Sequence, residues 1–276
     1  MSAVFMFAGL WFAIWDETFR RRIWGTTLSA LCFAAALMSK ESSLIFPVLL
    51  AVLVVARPVA ASERRNQVYM ARSIPLGVSI AILAVYGVLR MTVLHFGSAP
   101  AVDNSLGSRL VEMCQALALY AGLLFVPVHL HMERTLTDAT LWTAITGAAL
   151  FVVIIGALIA LGLHRGRAFE PRWRIALGLG WFVVTWLPIS GIFPLNAPMA
   201  EHWMYVPLAG LLWAMAEVAA FLVRGRNGQV ALGGLVCAMS VYFVVLTVDR
   251  NRDWHDNETL FVATLAENPN SARVHQ

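Results

Sequence analysis

The chain has 276 residues, of which 59% are hydrophobic and 13% are charged, and its mean hydropathy is +0.72. This composition excludes a water-soluble globular domain and predicts a membrane protein. The formal charge of +4 comes from arginines in short loops and not from one amphipathic face, so we do not predict a nucleic-acid partner.

Nine apolar runs follow one another along the chain. They cover residues 3–15, 24–38, 43–56, 74–95, 110–128, 139–163, 175–193, 203–223 and 230–248. Helices of about 20 apolar residues cross a hydrocarbon layer of ~30 Å, and the first and third runs are short for that. No basic residue precedes the first run, so it is predicted to be a span and not a cleaved signal peptide. The predicted fold class is all-α, a polytopic membrane protein of about eight or nine segments.

Thirteen of the twenty basic residues lie in four clusters, which the positive-inside rule places in the cytoplasm. The clusters are Arg20 to Arg22, then Arg57, Arg64, Arg65 and Arg72, then Arg165, Arg167, Arg172 and Arg174, and finally Arg224 and Arg226. Three runs separate the second cluster from the third, where an even number of crossings is expected. Run 110–128 contains Glu112 and Gln115, so we predict that it enters the membrane from the outer face without crossing it, or that it lies along that face. The alternative is that it spans and one cluster violates the rule.

The same rule places Met1 outside, which is uncommon for an uncleaved first helix. The chain is therefore either a natural variant or an N-terminal truncation of a longer protein. Its three cysteines lie inside apolar runs without a CxxC pattern, so neither a disulfide nor a metal knuckle is predicted. His129 and His131 flank a turn but lack a convincing third ligand, and no metal site is predicted.

The composition becomes polar after Val248, and helix signals follow. Asp256 or Asn257 can cap a helix with an apolar stripe at Leu260, Phe261 and Leu265. ENPNSARVH then reads as a turn and a second helix start, which is how tetratricopeptide units are joined. We therefore predict a membrane domain at 1–249 and the non-cytoplasmic start of a tetratricopeptide-repeat region at 250–276.

Four stretches in this order resemble the transmembrane and tetratricopeptide-repeat O-mannosyltransferase family and its bacterial relatives. LMSKESSLIFPVLL is similar to the family's lysine-glutamate segment, and the region from LRMTVLHFG through SRLVEMCQALALYAGLLFVPVHL is similar to its central region. APMAEHWMYVPLAG resembles its alanine-glutamate-arginine block, with His202 where arginine is more usual. NRDWHDNETLFVATLAENPNSARVH resembles the junction into the first lumenal repeats.

The resemblance implies a GT-C glycosyltransferase that moves a mannose-like sugar from a polyprenyl-phosphate carrier to protein Ser/Thr hydroxyls at the non-cytoplasmic face. The polyprenyl-phosphate sugar is the donor, and no other cofactor is implied. The implied partners are membrane lipid and an acceptor protein reached through the repeat region. The family's leading catalytic carboxylate lies in the first non-cytoplasmic loop, upstream of this chain. We therefore expect an inactive part of a transferase, with no catalytic residue assigned.

The candidate substrate-binding residues are Lys40, Glu41, Arg90, Arg109, Glu201, His202 and Tyr205. Lys40 is the only lysine in the chain and lies on the predicted outer face. It is expected to bind the donor phosphate while Glu41 holds it in place or contacts the sugar. The alternative is that the pair caps a tight turn with Ser42 and Ser43. Arg90 and Arg109 can neutralise a phosphate, or they can snorkel to the interface.

The AEHWMYVP segment supplies the other candidates. Glu201 is expected to bind the sugar or orient the acceptor, and His202 to contact the phosphate, with Tyr205 one turn further along the same helix face. The alternative is a polar helix start with interfacial aromatic residues at Trp203 and Tyr205. Glu217 points toward the cytoplasmic half of its span and is predicted to be structural.

Two other functions remain open. One is a non-catalytic anchor that presents a tetratricopeptide domain to protein partners, and the other is a lipid or solute transporter. The preference for arginine over lysine favours a bacterial inner membrane, with the endoplasmic reticulum membrane as the alternative.

Overall fold

A computed structural model describes residues 1–15, 19–56, 65–94, 105–128, 130, 136, 139–163, 171–193, 195, 197–223 and 225–268. The regular structure of these residues is helical, and they form no β-sheet. The predicted all-α class is confirmed.

Eleven α-helices run through the described residues. They are α1 (Ser2–Ala13), α2 (Phe19–Ser39), α3 (Phe46–Ala56), α4 (Arg65–Arg72), α5 (Ile74–Leu89), α6 (Leu106–Phe125), α7 (Leu141–Leu163), α8 (Pro171–Trp186), α9 (Tyr205–Leu222), α10 (Arg226–Arg250) and α11 (Asn257–Glu267). Every predicted apolar run contains a helix. Short 3-10 turns, Glu41–Ile45 and Glu201–Met204, lead into α3 and α9. The short α4 lies within the second arginine cluster and was not predicted.

Five described helices are long and apolar enough to cross a membrane. They are Val68–Val93, Leu106–Phe125, Leu141–Leu163, Glu201–Leu222 and Arg226–Trp254. Ser2–Ala13 and Glu41–Val55 are apolar but shorter, as predicted for the first and third runs. The chain is thus a multi-pass membrane protein by composition and helix length, and its number of crossings stays a prediction.

The N-terminal half packs α1, α2, α3 and α5 around one apolar core. Phe33 of α2 and Phe46 of α3 are fully buried and stacked, with ring centroids 4.5 Å apart. The hydroxyl of buried Ser43 donates to the Ala36 carbonyl at 3.0 Å and lies 2.7 Å from the Ser2 hydroxyl. The starts of α1 and α3 and the end of α2 therefore meet at one end of this half.

The C-terminal half packs α6, α7, α8 and α9 around a second core. Helices α8 and α9 are antiparallel and in close contact, because Gly178 and Gly210 face each other with no room for a side chain. The Trp181 indole N–H donates to the Val206 carbonyl at 2.9 Å. Trp181 packs into the N-terminal core and Phe182 into the C-terminal one, so α8 joins the two halves.

Helix α6 passes the starts of two other helices. The Gln115 amide donates to the carbonyls of Ala139 and Thr140, just before α7, at 3.5 and 3.4 Å. Tyr120, five residues further on, bonds to Ala200, just before the turn that leads into α9. The predicted topology places both points on the outer face. Helix α6 also packs along α7 and is apolar enough to cross a membrane, so the predicted re-entrant or interfacial position of run 110–128 stays a prediction.

The chain leaves the apolar region at the end of α10. The Asp256 carboxylate caps α11 by accepting the Thr259 backbone N–H at 2.7 Å, so Asp256 and not Asn257 is the capping residue. Leu260 and Thr264 form the buried face of α11. Residues 269–276, which contain the predicted second helix start, lie outside the described residues.

Replacing Asp256 by alanine is expected to fray the first turn of α11. The hydrogen bonds from Thr259, above all from its backbone N–H, lower the pKa of the Asp256 carboxyl to about 2. The ionised carboxylate therefore stabilises the helix. This stabilisation is fully present above the carboxyl's unfolded pKa of about 3.9 and is lost as the pH falls through about 2. Hydrogen exchange should therefore show weaker protection of residues 257–267 in Asp256→Ala at neutral pH.

Asp256→Asn is the matched control, since asparagine also caps helices but does not titrate. Its protection at neutral pH should stay close to that of the wild type. Equal protection in the alanine variant would contradict the role of Asp256 as the cap.

Candidate functional site

An apolar cavity of about 450 Å³ lies between α6, α7, α8 and α9, and we call it the α6–α9 cavity. Its walls include Leu117, Tyr120, Phe125, Leu150, Ile154, Phe182, Glu201, Tyr205, Leu208 and Met215. Glu201 is the one carboxylate among its described lining residues. The cavity thus combines an apolar interior with a single acidic group.

Glu201 is placed by the turn that precedes α9. It is the first residue of the Glu201–Met204 turn and is half-buried, whereas Met204 is buried in the C-terminal core. Tyr205, the first residue of α9, is exposed and lines the cavity together with Glu201. The structure therefore brings these two candidates together, and their roles stay predictions.

Tyr120 holds the backbone immediately before Glu201. Its hydroxyl donates to the Ala200 carbonyl at 3.0 Å and accepts the Ala200 N–H at 2.9 Å. The Tyr120 side chain is buried, which favours the hydroxyl making both bonds. Sequence reasoning missed Tyr120, because its partner is 80 residues away and no local signal marks the contact.

His202 does not line the described wall of the cavity. Its side chain is exposed, and its ring lies edge-on to that of Trp203, with centroids 6.2 Å apart. The phosphate contact predicted for His202 stays a prediction.

A second group of candidates lies in the N-terminal half. The Arg90 guanidinium forms a salt bridge with the Glu41 carboxylate, which ties the turn before α3 to the end of α5. Lys40 adjoins Glu41, and partial burial lowers the pKa of its ammonium. The Ser43 N–H donates to the Lys40 carbonyl at 3.1 Å, which closes the first turn of Glu41–Ile45, and the Lys40 side chain makes no capping hydrogen bond there. Both predicted roles of Lys40 and Glu41 stay open.

The Glu41 and Arg90 side chains are 49% and 37% exposed, so solvent screens their attraction. We expect Arg90→Glu to lower the free energy of unfolding by about 1 kcal/mol or less, because two carboxylates then face each other. The double variant Glu41→Arg, Arg90→Glu should restore most of that loss in thermal unfolding. A double variant no more stable than Arg90→Glu would contradict the pairing.

The remaining charged candidates lie apart from the cavity. Arg109 lies in the first turn of α6 and does not line the described wall of the cavity. Glu217 accepts the Trp213 indole N–H at 3.4 Å and lies 3.5 Å from the Arg174 guanidinium. The contact with Arg174 joins α9 to α8, which agrees with the predicted structural role of Glu217.

The described residues contain no group of three His, Cys, Asp or Glu side chains able to hold a metal ion. His129 and His131, the two histidines considered above for this role, lie outside the described residues.

Comparison with curated proteins finds similarity over about half of the chain. Mouse protein O-mannosyl-transferase TMTC4 is 29% identical over 135 residues, which are 49% of this chain and 18% of that protein. The chain is thus similar to protein O-mannosyl-transferases. The human TMTC4 is 28% identical over 135 residues, and mouse protein O-mannosyl-transferase TMTC1 is 25% identical over 177 residues, 61% of this chain and 19% of that protein.

These relatives support the family resemblance, although the chain spans less than a fifth of their length. No protein-family model matches the chain. No solved structure matches it either.

Proposed function

We propose that this chain is part of a membrane glycosyltransferase that moves a mannose-like sugar from a polyprenyl-phosphate carrier to protein Ser/Thr hydroxyls at the non-cytoplasmic face. The observation that carries the proposal is the α6–α9 cavity, whose apolar walls meet one carboxylate, Glu201. The names of the relatives, protein O-mannosyl-transferases, support the reaction class.

The cavity suits the apolar part of such a donor. A polyprenyl chain gains about 0.8 kcal/mol for each CH₂ group moved from water into an apolar site. The cavity walls from Leu117, Leu150 and Phe182 offer such a site, and the first two belong to helices that are suited to a membrane. The tail can therefore stay in an apolar environment while the head group meets the polar residues.

Glu201 and Tyr205 suit the sugar. A carboxylate accepts hydrogen bonds from sugar hydroxyls, and such charge-assisted bonds are roughly twice as strong as neutral ones. The two hydrogen bonds from Tyr120 to Ala200 hold the Glu201 backbone in place before the sugar arrives. Glu201 is thus a proposed binding residue, and the general base of the reaction is not assigned.

The Lys40, Glu41 and Arg90 cluster is a second proposed contact of the donor or acceptor. It lies in the N-terminal half, on the face that the arginine clusters predict to be non-cytoplasmic. None of its residues lines the described wall of the α6–α9 cavity. A cation for the phosphate of a donor in that cavity must therefore come from elsewhere.

Membranes containing the full-length gene product should transfer labelled mannose from polyprenyl-phosphate mannose to a Ser/Thr-rich acceptor protein. The label should be released by alkaline β-elimination, which marks an O-linked sugar. Membranes without the protein are the control. Labelled lipid that crosses the bilayer without labelling any protein would instead support a transporter.

A further inference from the structure

The Glu201–Met204 turn begins after a residue whose side chain cannot cap it. Ala200 has an extended backbone, with φ −153° and ψ 134°, and its side chain makes no capping hydrogen bond. Alanine is a poor capping residue because its side chain has no polar atom. The backbone N–H and carbonyl of Ala200 must therefore be satisfied by other parts of the protein.

A turn of the same geometry leads into α3 and finds its partners locally. Lys40 precedes Glu41 with an extended backbone, φ −164° and ψ 133°, and its carbonyl accepts the Ser43 N–H at 3.1 Å. The Lys40 N–H donates to the Ala36 carbonyl at 2.9 Å. The last turn of α2 thus satisfies the N–H of the residue that precedes this turn.

The turn before α9 uses Tyr120 of α6 in that place. The Ala200 carbonyl accepts the Trp203 N–H at 3.0 Å, so the turn closes in the same way. The Ala200 N–H donates to the Tyr120 hydroxyl at 2.9 Å, and this hydroxyl donates to the Ala200 carbonyl at 3.0 Å. Helix α8 ends at Trp186, well before Ala200. A side chain from another helix therefore replaces the helix carbonyl that serves Lys40.

The ring and the hydroxyl of Tyr120 have separate roles. The ring is buried in one core with Met199 and Met204, which lie on either side of Ala200 and Glu201, and it lines the α6–α9 cavity. Phenylalanine would keep this ring in the cavity wall. It would leave the Ala200 N–H without its acceptor, whereas the carbonyl would keep the bond from the turn. A stranded backbone N–H is costly, so we expect the segment to shift toward another acceptor.

We propose that Tyr120 is a positioning residue, whose hydroxyl holds Glu201 at the cavity through the backbone of Ala200. This inference rests on the proposed function and extends it by adding a residue 80 positions away to the sugar site. Glu201 follows Ala200 directly, so a shift of that backbone also moves the carboxylate. Binding groups need to be held within about 0.5 Å of their productive position. Tyr120 thus acts on the sugar through Glu201.

The experiment measures binding of two probes to the purified full-length protein in nanodiscs, polyprenyl-phosphate mannose and polyprenyl phosphate without the sugar. We expect Tyr120→Phe to weaken binding of the mannose probe roughly tenfold, because the hydrogen bonds between Glu201 and the sugar are misaligned. Binding of the sugar-free probe should stay close to that of the wild type. The ring still lines the cavity, and this probe offers no sugar to Glu201.

A double-mutant cycle separates positioning from general damage. Tyr120→Phe should hardly change binding of the mannose probe in a Glu201→Ala protein, because no carboxylate is left to position. Tyr86→Phe removes a hydroxyl beside the N-terminal core and is the control, which should bind both probes as the wild type does. Hydrogen exchange of the Ala200 amide should be slow in the wild type and faster in Tyr120→Phe.

Tyr120→Phe that weakens both probes alike, or weakens the mannose probe equally with and without Glu201, would overturn this inference and leave the proposed function standing. A wild-type protein that does not bind the mannose probe would overturn the proposed function itself. Thermal unfolding shows whether Tyr120→Phe folds. If it does not, exchange of the wild-type Ala200 amide decides, and an unprotected amide would overturn the inference.

Discussion

Replacing Glu201 by glutamine in the full-length protein is expected to reduce sugar transfer roughly 10- to 100-fold. A hydrogen bond to a charged group contributes about 1.5–3 kcal/mol, and each 1.4 kcal/mol corresponds to a factor of ten. Glutamine retains the size of the side chain but not its charge. The Tyr120 contacts are to the backbone of Ala200, so they should survive the substitution.

Glu258→Gln is the control for Glu201→Gln, since Glu258 is exposed on α11 and does not line the described wall of the α6–α9 cavity. Its transfer rate should equal that of the wild type. The reaction is followed with labelled polyprenyl-phosphate mannose, alongside thermal unfolding of both variants. A Glu201→Gln protein of normal stability and normal transfer rate would remove Glu201 from the site.

Introducing valine at Gly147 of α7 is expected to separate α7 from α6. A Cβ at this position would overlap the carbonyl oxygen of Cys114 in α6. The obstacle is backbone and not the end of a flexible side chain, so only a shift of the helices relieves it. Overpacking of this kind costs typically about 1–3 kcal/mol. Because α6 also carries Tyr120, the shift should weaken the contact with Ala200 and lower transfer as well.

Gly156→Val is the matched control on the same helix. A Cβ at Gly156 meets no atom within 4 Å, and the change in helix propensity is the same at both positions. Thermal unfolding in detergent should therefore show a much lower Tm for Gly147→Val than for Gly156→Val. Equal Tm values would mean that the close packing of α6 on α7 does not stabilise the protein.

The sequence predicts the helices well because membrane helices have a simple pattern. All nine apolar runs contain helices, and the two shortest runs are short in the structure too. The cap of α11 was predicted at Asp256 or Asn257, because a capping side chain acts on a backbone only a few residues away, and the structure shows that it is Asp256. Features that depend on local chemistry or on total apolar length can thus be predicted from the amino-acid sequence alone.

Contacts between distant helices are a different case. The Glu41 and Arg90 pair joins residues 49 positions apart, and both were candidates for reasons unrelated to pairing with each other. Tyr120 looked like any aromatic residue in an apolar run, and its role depends on the position of Ala200. Arg250 looked like part of the polar segment after Val248, and only the packing of α6, α9 and α10 shows that it lines a cavity together with Leu123 and Leu208.

The local geometry of a turn also depends on the folded chain. His202 was expected to contact the phosphate, at a position where the resembling family usually has arginine. Glu201 lines the described cavity wall and His202 does not, since successive residues of the Glu201–Met204 turn point in different directions. Tyr205, one turn further on, lines the cavity together with Glu201, and the roles of all three residues stay predictions.

Photo-crosslinking tests the central claim most directly, namely that the α6–α9 cavity holds the polyprenyl donor. A polyprenyl-phosphate mannose with a photoreactive group in its tail is bound to the full-length protein, and the crosslinked residues are mapped by mass spectrometry. We predict crosslinks to cavity residues such as Leu124, Leu150 and Leu208, and their loss with excess unlabelled donor. Crosslinks confined to exposed positions outside the cavity, such as Val152 and Val153, and unaffected by competitor would contradict the account.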